Sequence, residues 1–343
     1  MPRTPVSLRD VARAVGLSAM TVSRALRDDG TVAGPTRRRV LAAAARPRYR
    51  PNLLMHGVRT GRSRTVGVVV PASTPFLAGI LQGIHDALDA ADYAMLVAWN
   101  PLHFAAPANR AERRHIRRLL ERRVDGLILR PTHDAATDDD FREVRKEGLP
   151  LVVVDRELPG VRCDFAGTDD EAGARMAADH LLALGHRRLG HLAGPQAVST
   201  ARLRRRGFER AVAAFGRGAS CRTVEGHDFR GLRDEALRLL RASPRPTAVF
   251  CANDDAATSL YESADALHLR IPQDLSVVGF ADLPVASMLR PALTTVRQDP
   301  VRIGREAVRL LLARCASGAP RNGPVAVRLE PELVVRGSTA PPA

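Results

Sequence analysis

Acidic residues are scarce where this chain begins. Residues 1–65 hold only Asp10, Asp28 and Asp29 against fourteen arginines, whereas the other 278 residues are nearly balanced, with 34 acids and 38 basic groups. Lysine is almost missing as well, Lys146 being the only one among 52 basic residues. A genome rich in G and C explains arginine in place of lysine. It does not explain the shortage of acids at one end, and a basic head on a nearly neutral body points to a polyanionic partner, nucleic acid. Cysteine is sparse too: Cys163, Cys221, Cys251 and Cys315 lie far apart with no CxxC pair. That spacing excludes a zinc site or disulfide framework and suits small buried hydrophobes in a reducing compartment. No apolar run approaches the ~20 residues of a membrane span, and MPRTPVSLRD lacks the apolar core of a signal peptide, so a membrane is not an expected partner and the cytoplasm is the expected location. Catalytic signatures are also missing. There is no GxGxxG after a strand, no GxxxxGK(S/T) and no GxSxG, so no catalytic residue, cofactor or metal is expected.

What is present suffices for two packed units: 343 residues, 45% of them hydrophobic. Ser7 and Asp10 form a capping-box pattern, with Val11 and Val15 on one helical face and Gly16 ending the helix. Ser18 can cap a second helix whose inner face carries Val22 and Leu26. A third is expected from about Thr36 to Arg46, stopped by Pro47. Two short helices joined at Gly16-Leu17-Ser18 make a helix-turn-helix. Residues 52–64 read as a short helix and linker.

From Thr65 the texture changes. Short β-branched runs (TVGVVV, YAMLVA, DGLIL, LPLVVVD, RLGHLAG, TAVFCAN, SVVGF) alternate with helical stretches such as Ile80–Ala90 and Glu171–Leu184. This alternation implies βαβ units, parallel sheets and ligands at the carboxyl ends of strands. Residues 65–338 are long enough for two such lobes with a cleft between them. Pro and Gly thicken again after Arg336, so 339–343 is expected to be a frayed tail.

The run of motifs SLRDVARAVGLSAMTVSRAL, YRPN, RTGRSRTVGVVVP, RRVDGLIL, DHLLALGHRRLGHLAG, STARLRRRGF, TAVFCANDDAA, IPQDLSVVGFAD and LTTVRQD resembles the lactose/galactose repressor (LacI/GalR) family over almost the whole chain. The resemblance implies a helix-turn-helix head over residues 1–51, a hinge helix over 52–64, and a two-lobed body of the periplasmic-binding-protein type. The function it implies is a homodimeric transcriptional repressor that binds near-palindromic operator DNA and responds to a small effector, a sugar or sugar acid. Activator action by the same architecture stays open, because polarity depends on where the operator lies. The rivals from other classes are a doubly wound enzyme and a sugar-binding protein with no DNA site; the missing catalytic motifs and the basic head oppose them.

In a helix-turn-helix the second helix enters the major groove with its N-terminal residues facing base edges. Ala19, Met20, Ser23 and Arg24 are the candidates, Arg24 because a guanidinium can pair with guanine O6 and N7. Met20 reads either thymine methyls or serves as an apolar filler, and Thr21 either contacts a phosphate or caps locally. By resemblance, Leu8, Arg9, Ser18, Arg27, Thr31, Thr36, Tyr49 and Asn52 fall at backbone-contacting positions, which set register without reading sequence. Met55 belongs to the same DNA-facing set in the linker, and Val58 holds the position of a minor-groove wedge where leucine is usual. Gly57 beside it weakens the helix, so a flexible linker is the alternative reading there.

The family's effector positions map to Asp155, Arg204, Asn253 and Asp254, with Phe76 and Phe229 as apolar walls and Asp282 nearby. Arg204 suits vicinal hydroxyls or a carboxylate unless it is merely solvated, and Asp155 or Asp254 could instead cap a helix. Ala281 stands where many sugar-binding members carry aspartate. Arg130 and Arg156, at strand ends, are expected to make the cleft positive, which favours an acidic or phosphorylated sugar. His186 and His191 read as structural.

Overall fold

The computed structural model describes residues 6–26, 30–45, 62–71, 74–100, 108–132, 141–216, 218–317 and 323–343. The chain divides into two compact units, residues 1–63 and 64–343.

The first unit contains α1 (Leu8–Val15), α2 (Ala19–Leu26) and α3 (Gly34–Ala45). The capping box forms as its residues predict: Asp10 N–H donates to Ser7 Oγ and Ser7 N–H to Asp10 Oδ2. Gly16 ends α1 in the left-handed conformation, φ 65°, a region that suits a residue without Cβ. Ser18 Oγ accepts from Thr21 N–H at 3.1 Å, capping α2. The third helix starts at Gly34, two residues before the expected Thr36, because Ala33 O already accepts from Arg37 N–H. Val11, Val15, Val22, Ala25, Val40 and Ala44 form the core; Leu26, expected on the inner face, is only half-buried beside it. Arg39 ties α3 to α1 by donating to Val15 O at 2.9 Å.

The second unit holds β1 (Thr65–Pro71), β2 (Ala94–Asn100), β3 (Gly126–Leu129), β4 (Leu151–Val154), β5 (Asp164–Thr168), β6 (Arg188–Ala193), β7 (Ser220–Glu225), β8 (Ala248–Cys251), β9 (Ser276–Ala281), β10 (Thr294–Arg297), β11 (Ala326–Leu329) and β12 (Glu332–Val334). Its helices are α4 (Pro75–Ala90), α5 (Ala108–Glu121), α6 (Arg142–Lys146), α7 (Asp170–Ala183), α8 (Ser199–Phe215), α9 (Arg233–Leu240), α10 (Asp254–Ala266), α11 (Pro284–Met288) and α12 (Pro300–Ser317). The strands form two six-stranded sheets, ordered β11-β5-β4-β3-β1-β2 and β12-β10-β9-β8-β6-β7. Pairing is parallel except where β12 runs antiparallel to β10. The central strands of each sheet are buried on both faces, which is why they read as near-continuous apolar runs, whereas the edge strands are half-exposed. On β1, Val66, Val68 and Val70 face one core layer and Val69 the other.

Three chain passages join the lobes: β5 to α7, β10 to α12, and β11 to β12. They are bonded together. Asp169 N–H donates to Leu329 O at 2.9 Å, and Gln298 Nε2 donates to the buried Thr168 hydroxyl at 2.8 Å.

One expectation fails here. The segment 339–343 does not fray where it leaves the second lobe. Ser338 is fully buried, its carbonyl accepts from Val277 N–H, and Ala340 bonds both Ser276 Oγ and His186 Nε2. His186 thus fastens the C-terminal segment to the sheet, a structural task.

Candidate functional site

On the head, the residues of α2 that do not enter the core line its outer side. Met20 is 57% exposed, Arg24 is exposed, and Ala19, Thr21 and Ser23 are half-buried. Thr21 takes part in the local cap, its hydroxyl lying 2.9 Å from that of Ser18. Arg9, Ser18 and Thr31 are exposed and Thr36 is half-buried. Leu8 is half-buried against the three-helix core, so its side chain serves packing as well as surface. Arg27, Tyr49, Asn52, Met55 and Val58, with Gly57, lie outside the described residues.

In the second unit a cleft of about 200 Å³ opens between the lobes. From the first lobe it is lined by Thr74, Phe76, Arg130, Asp155 and Arg156. The second lobe supplies Thr200, Arg204, Asp228, Phe229, Arg230, Asn253, Asp255, Ala281 and Leu283, and Gln298 comes from a crossing. Most of these sit just past a strand's carboxyl end, where side chains escape the sheet's packing. Asp155 follows β4 with φ 65°, a strained conformation for a non-glycine residue that turns the chain into the cleft. It caps no helix: its Oδ2 accepts from Arg130 Nε at 2.7 Å. Arg156 donates to the carbonyl of Thr132 at 2.5 Å and lies 5.9 Å from the Phe229 ring centroid.

Arg204 is buried rather than solvated. It donates Nε to Asp170 Oδ1 at 2.7 Å and Nη1 to Ala252 O at 2.6 Å, and its guanidinium stacks 3.8 Å above the Phe280 ring. Its Nη2 lies 3.5 Å from Gln298 Oε1, linking the cleft to the bonded crossings. Burial pushes the Asp170 carboxyl up to about 7 against the opposing pull of Arg204.

Two expected effector residues are placed elsewhere. Asp254 does not line the cleft: it is fully buried, with Oδ2 accepting from Leu283 N–H and Oδ1 from the Thr295 hydroxyl. Burial pushes it up to about 6. It is a fastener between the start of α10, the loop after β9 and β10, and a Cβ on Gly279 would lie 2.2 Å from its oxygen. Asp282 also turns away, held by Arg297 at 2.8 Å and Arg336 at 2.6 Å. Asn253 lines the cleft while capping α10, its Oδ1 accepting from Ala256 N–H.

Sequence reasoning passed over Thr74, Thr200, Asp228, Arg230, Asp255, Leu283 and Gln298. The signals were adjacency: Asp228 and Arg230 flank Phe229, Asp255 follows Asp254, and Gln298 and Thr200 lie inside motifs already singled out. His191 does stay structural. It donates Nδ1–H to Phe250 O, stacks on Phe250 at 4.9 Å, and burial pushes it down to about 4. Among the described residues no group of His, Cys, Asp and Glu is arranged to hold a metal, and no helix is long and apolar enough to cross a membrane.

Two family models match parts of the chain. Residues 7–52 fit the model for bacterial regulatory proteins of the lacI family, and residues 178–339 that for a periplasmic binding protein-like domain. The transcriptional repressor PurR of Photobacterium profundum is 30% identical over 338 residues, covering 97% of this chain and 98% of that protein. The lac repressor dimer bound to operator and the anti-inducer ONPF aligns with a TM-score of 0.85 at 28% identity, over 98% of this chain and all of that one. A LacI family regulator from Enterococcus faecium with bound ribose aligns at 0.69 and 27%, over 81% of this chain and 99% of its own. A helix-turn-helix unit, a two-lobed body and a relative 30% identical over nearly its whole length agree: the chain belongs to the lacI family of bacterial regulatory proteins.

Proposed function

We propose that this protein is a homodimeric transcriptional repressor of the bacterial cytoplasm, whose hold on a near-palindromic operator is set by a small polar ligand in the inter-lobe cleft. The observation that carries it is the union in one chain of an exposed recognition helix with a cleft lined from both lobes. Arg24, Met20 and Ala19 read base edges, while Arg9, Ser18, Thr21, Thr31 and Thr36 hold the phosphates. Arg27, Tyr49, Asn52, Met55 and Val58 extend the DNA contacts. Phe76, Arg130, Asp155, Arg204, Phe229 and Asn253 hold the effector, joined by Thr200, Arg230 and Gln298. Asp254 and Asp282 support the cleft from behind. The operator-bound dimer and the ribose-bound regulator among the similar structures support the dimer, the DNA partner and a sugar-like ligand.

A ligand contacting both lobes favours one lobe arrangement and shifts the dimer toward or away from the geometry that docks two heads. Fluorescence anisotropy with fragments flanking the protein's own gene, at two salt concentrations, tests the reading. One fragment bound tightly, with a steep salt dependence and a change on ligand addition, is the expected outcome. Equal affinity for every fragment overturns it.

A further inference from the structure

Hydrogen-bond capacity in the cleft is lopsided. The lining carries four guanidiniums, Arg130, Arg156, Arg204 and Arg230, against three carboxylates, Asp155, Asp228 and Asp255. One oxygen of each carboxylate already accepts from the protein: Asp155 from Arg130 Nε at 2.7 Å, Asp255 from Arg230 Nε at 3.0 Å, and Asp228 from Phe229 N–H at 2.6 Å, so the acceptors that remain are their second oxygens and those of Thr200 and Gln298. Arg130 and Arg230 spend only Nε in these bonds, and among the described residues their terminal nitrogens donate to nothing else. Asn253 likewise spends its oxygen on the α10 cap, which leaves its amide donors for the cleft. Ala281 and Leu283 add apolar surface and no side-chain acceptor.

A neutral sugar needs both acceptors and donors, because each hydroxyl donates one hydrogen bond and accepts others. An oxyanion only accepts, and guanidinium forks match its geometry. The cleft is also small: about 200 Å³ lies below the roughly 300–1,000 Å³ of sites for drug-sized ligands, so a monosaccharide-sized molecule fits. Phe76 and Phe229 face it from opposite lobes as walls for a ring or carbon chain.

We propose that the effector is a monosaccharide-sized polyol bearing an oxyanion, gripped between Arg130 of the first lobe and Arg230 of the second. This rests on the cleft being the effector site, and it adds that the anion bridges the lobes. A carboxylate and a phosphate ester share the recognised chemistry.

The test uses the full chain and matched probes: glucose, gluconate and glucose 6-phosphate, then ribose, ribonate and ribose 5-phosphate. Thermal shift finds the binder and calorimetry gives its Kd. The expected result is one acid binding at least about tenfold tighter than its neutral parent, the size of one charge-assisted hydrogen bond. Arg230→Gln and Arg130→Gln should each weaken the acid by about that factor more than they weaken the parent, so that the acid's preference over its parent largely disappears. Because Arg130→Gln leaves Asp155 without its partner, Arg130→Lys serves beside it and should lose less than the glutamine. Preference for gluconate or for glucose 6-phosphate, or their ribose counterparts, distinguishes the two oxyanions. Neutral parents binding as tightly as the acids overturn the oxyanion assignment and leave the effector cleft standing. An acid that binds equally well to Arg230→Gln overturns the two-lobed grip. No shift with any probe counts against both the assignment and the cleft reading.

Discussion

At the scale of single residues, three aspartates in the second lobe, Asp170 and Asp254 buried and Asp282 half-buried, have different tasks. Asp254 is satisfied by a backbone N–H and a hydroxyl, Asp282 by two arginines, and Asp170 by the guanidinium that reaches the cleft. Asp170 carries a titration that is open to measurement. Its folded value of about 7 lies above the ordinary 3.8, so between those values the folded chain keeps a proton that the unfolded chain has released. Stability contributed by that proton is fully present below the ordinary value and is lost as pH rises toward 7. Wild type measured against Asp170→Asn should therefore lose relative Tm from pH 5 to about 7 and level off by pH 8. His191, lowered to about 4, acts in the opposite sense between 6.5 and 4, but it is common to both proteins and cancels. A Tm difference that is flat across this range contradicts the assignment of the buried carboxyl.

The residue scale is also where the sequence was least legible. Arg204, Asp155, Arg130, Phe76, Phe229 and Asn253 converge on the cleft from positions given by family resemblance. Asp254 and Asp282 stand beside cleft residues in sequence, yet they turn away. A one-residue shift past a strand end reverses the direction of a side chain, and only three-dimensional partners such as Thr295 and Arg336 reveal which way it points. Arg230 and Gln298 had only adjacency to recommend them, and adjacency alone does not say which neighbour of a cleft residue also turns into the cleft.

At the scale of elements, the runs richest in valine and leucine were found as strands, and the weak ones were missed. β5 contains a glycine, β7 reads as half polar (SCRTVE), and β11 and β12 are short strands completing each sheet after a crossing. Helix contacts make a sharper prediction. α4 and α12 cross so closely that a Cβ on Gly83 would lie 2.0 Å from Val301 O, and one on Gly304 2.2 Å from Ile80 O. Backbone blocks both, so no side-chain rotation relieves the clash. Gly83→Ala should destabilise the body by about 1–3 kcal/mol despite alanine's better helix propensity, read as a lower Tm. An unchanged or raised Tm would show that the helices can part at little cost. On α2 the expectation reverses. Met20 is 57% exposed, so Met20→Ala should leave Tm nearly unchanged while altering which operator bases are preferred. Arg24→Ala should lose about 1–3 kcal/mol of discrimination at a single base position, measured by anisotropy with operator variants.

At the scale of the whole molecule, the charge asymmetry and the division into two units describe the same separation of tasks. Most of the excess of positive charge lies within residues 1–65, and the compact units part at residue 63. Each has its own buried core: among the described residues, seven small apolar side chains in the head, and apolar layers on both faces of two sheets in the body. The body's crossings are bonded to one another through Asp169–Leu329 and Gln298–Thr168, and Gln298 touches Arg204. Cleft and crossings are therefore joined, among the described residues, by bonds that lie wholly within residues 64–343. A chain covering residues 64–343 should fold, keep the thermal shift that any effector gives the full protein, and lose operator binding at every salt concentration. Loss of the thermal shift on truncation would place part of the effector's stabilisation in the head or linker. Residual, fragment-independent DNA binding by the truncated chain would instead show that its surplus of five positive charges contributes to affinity.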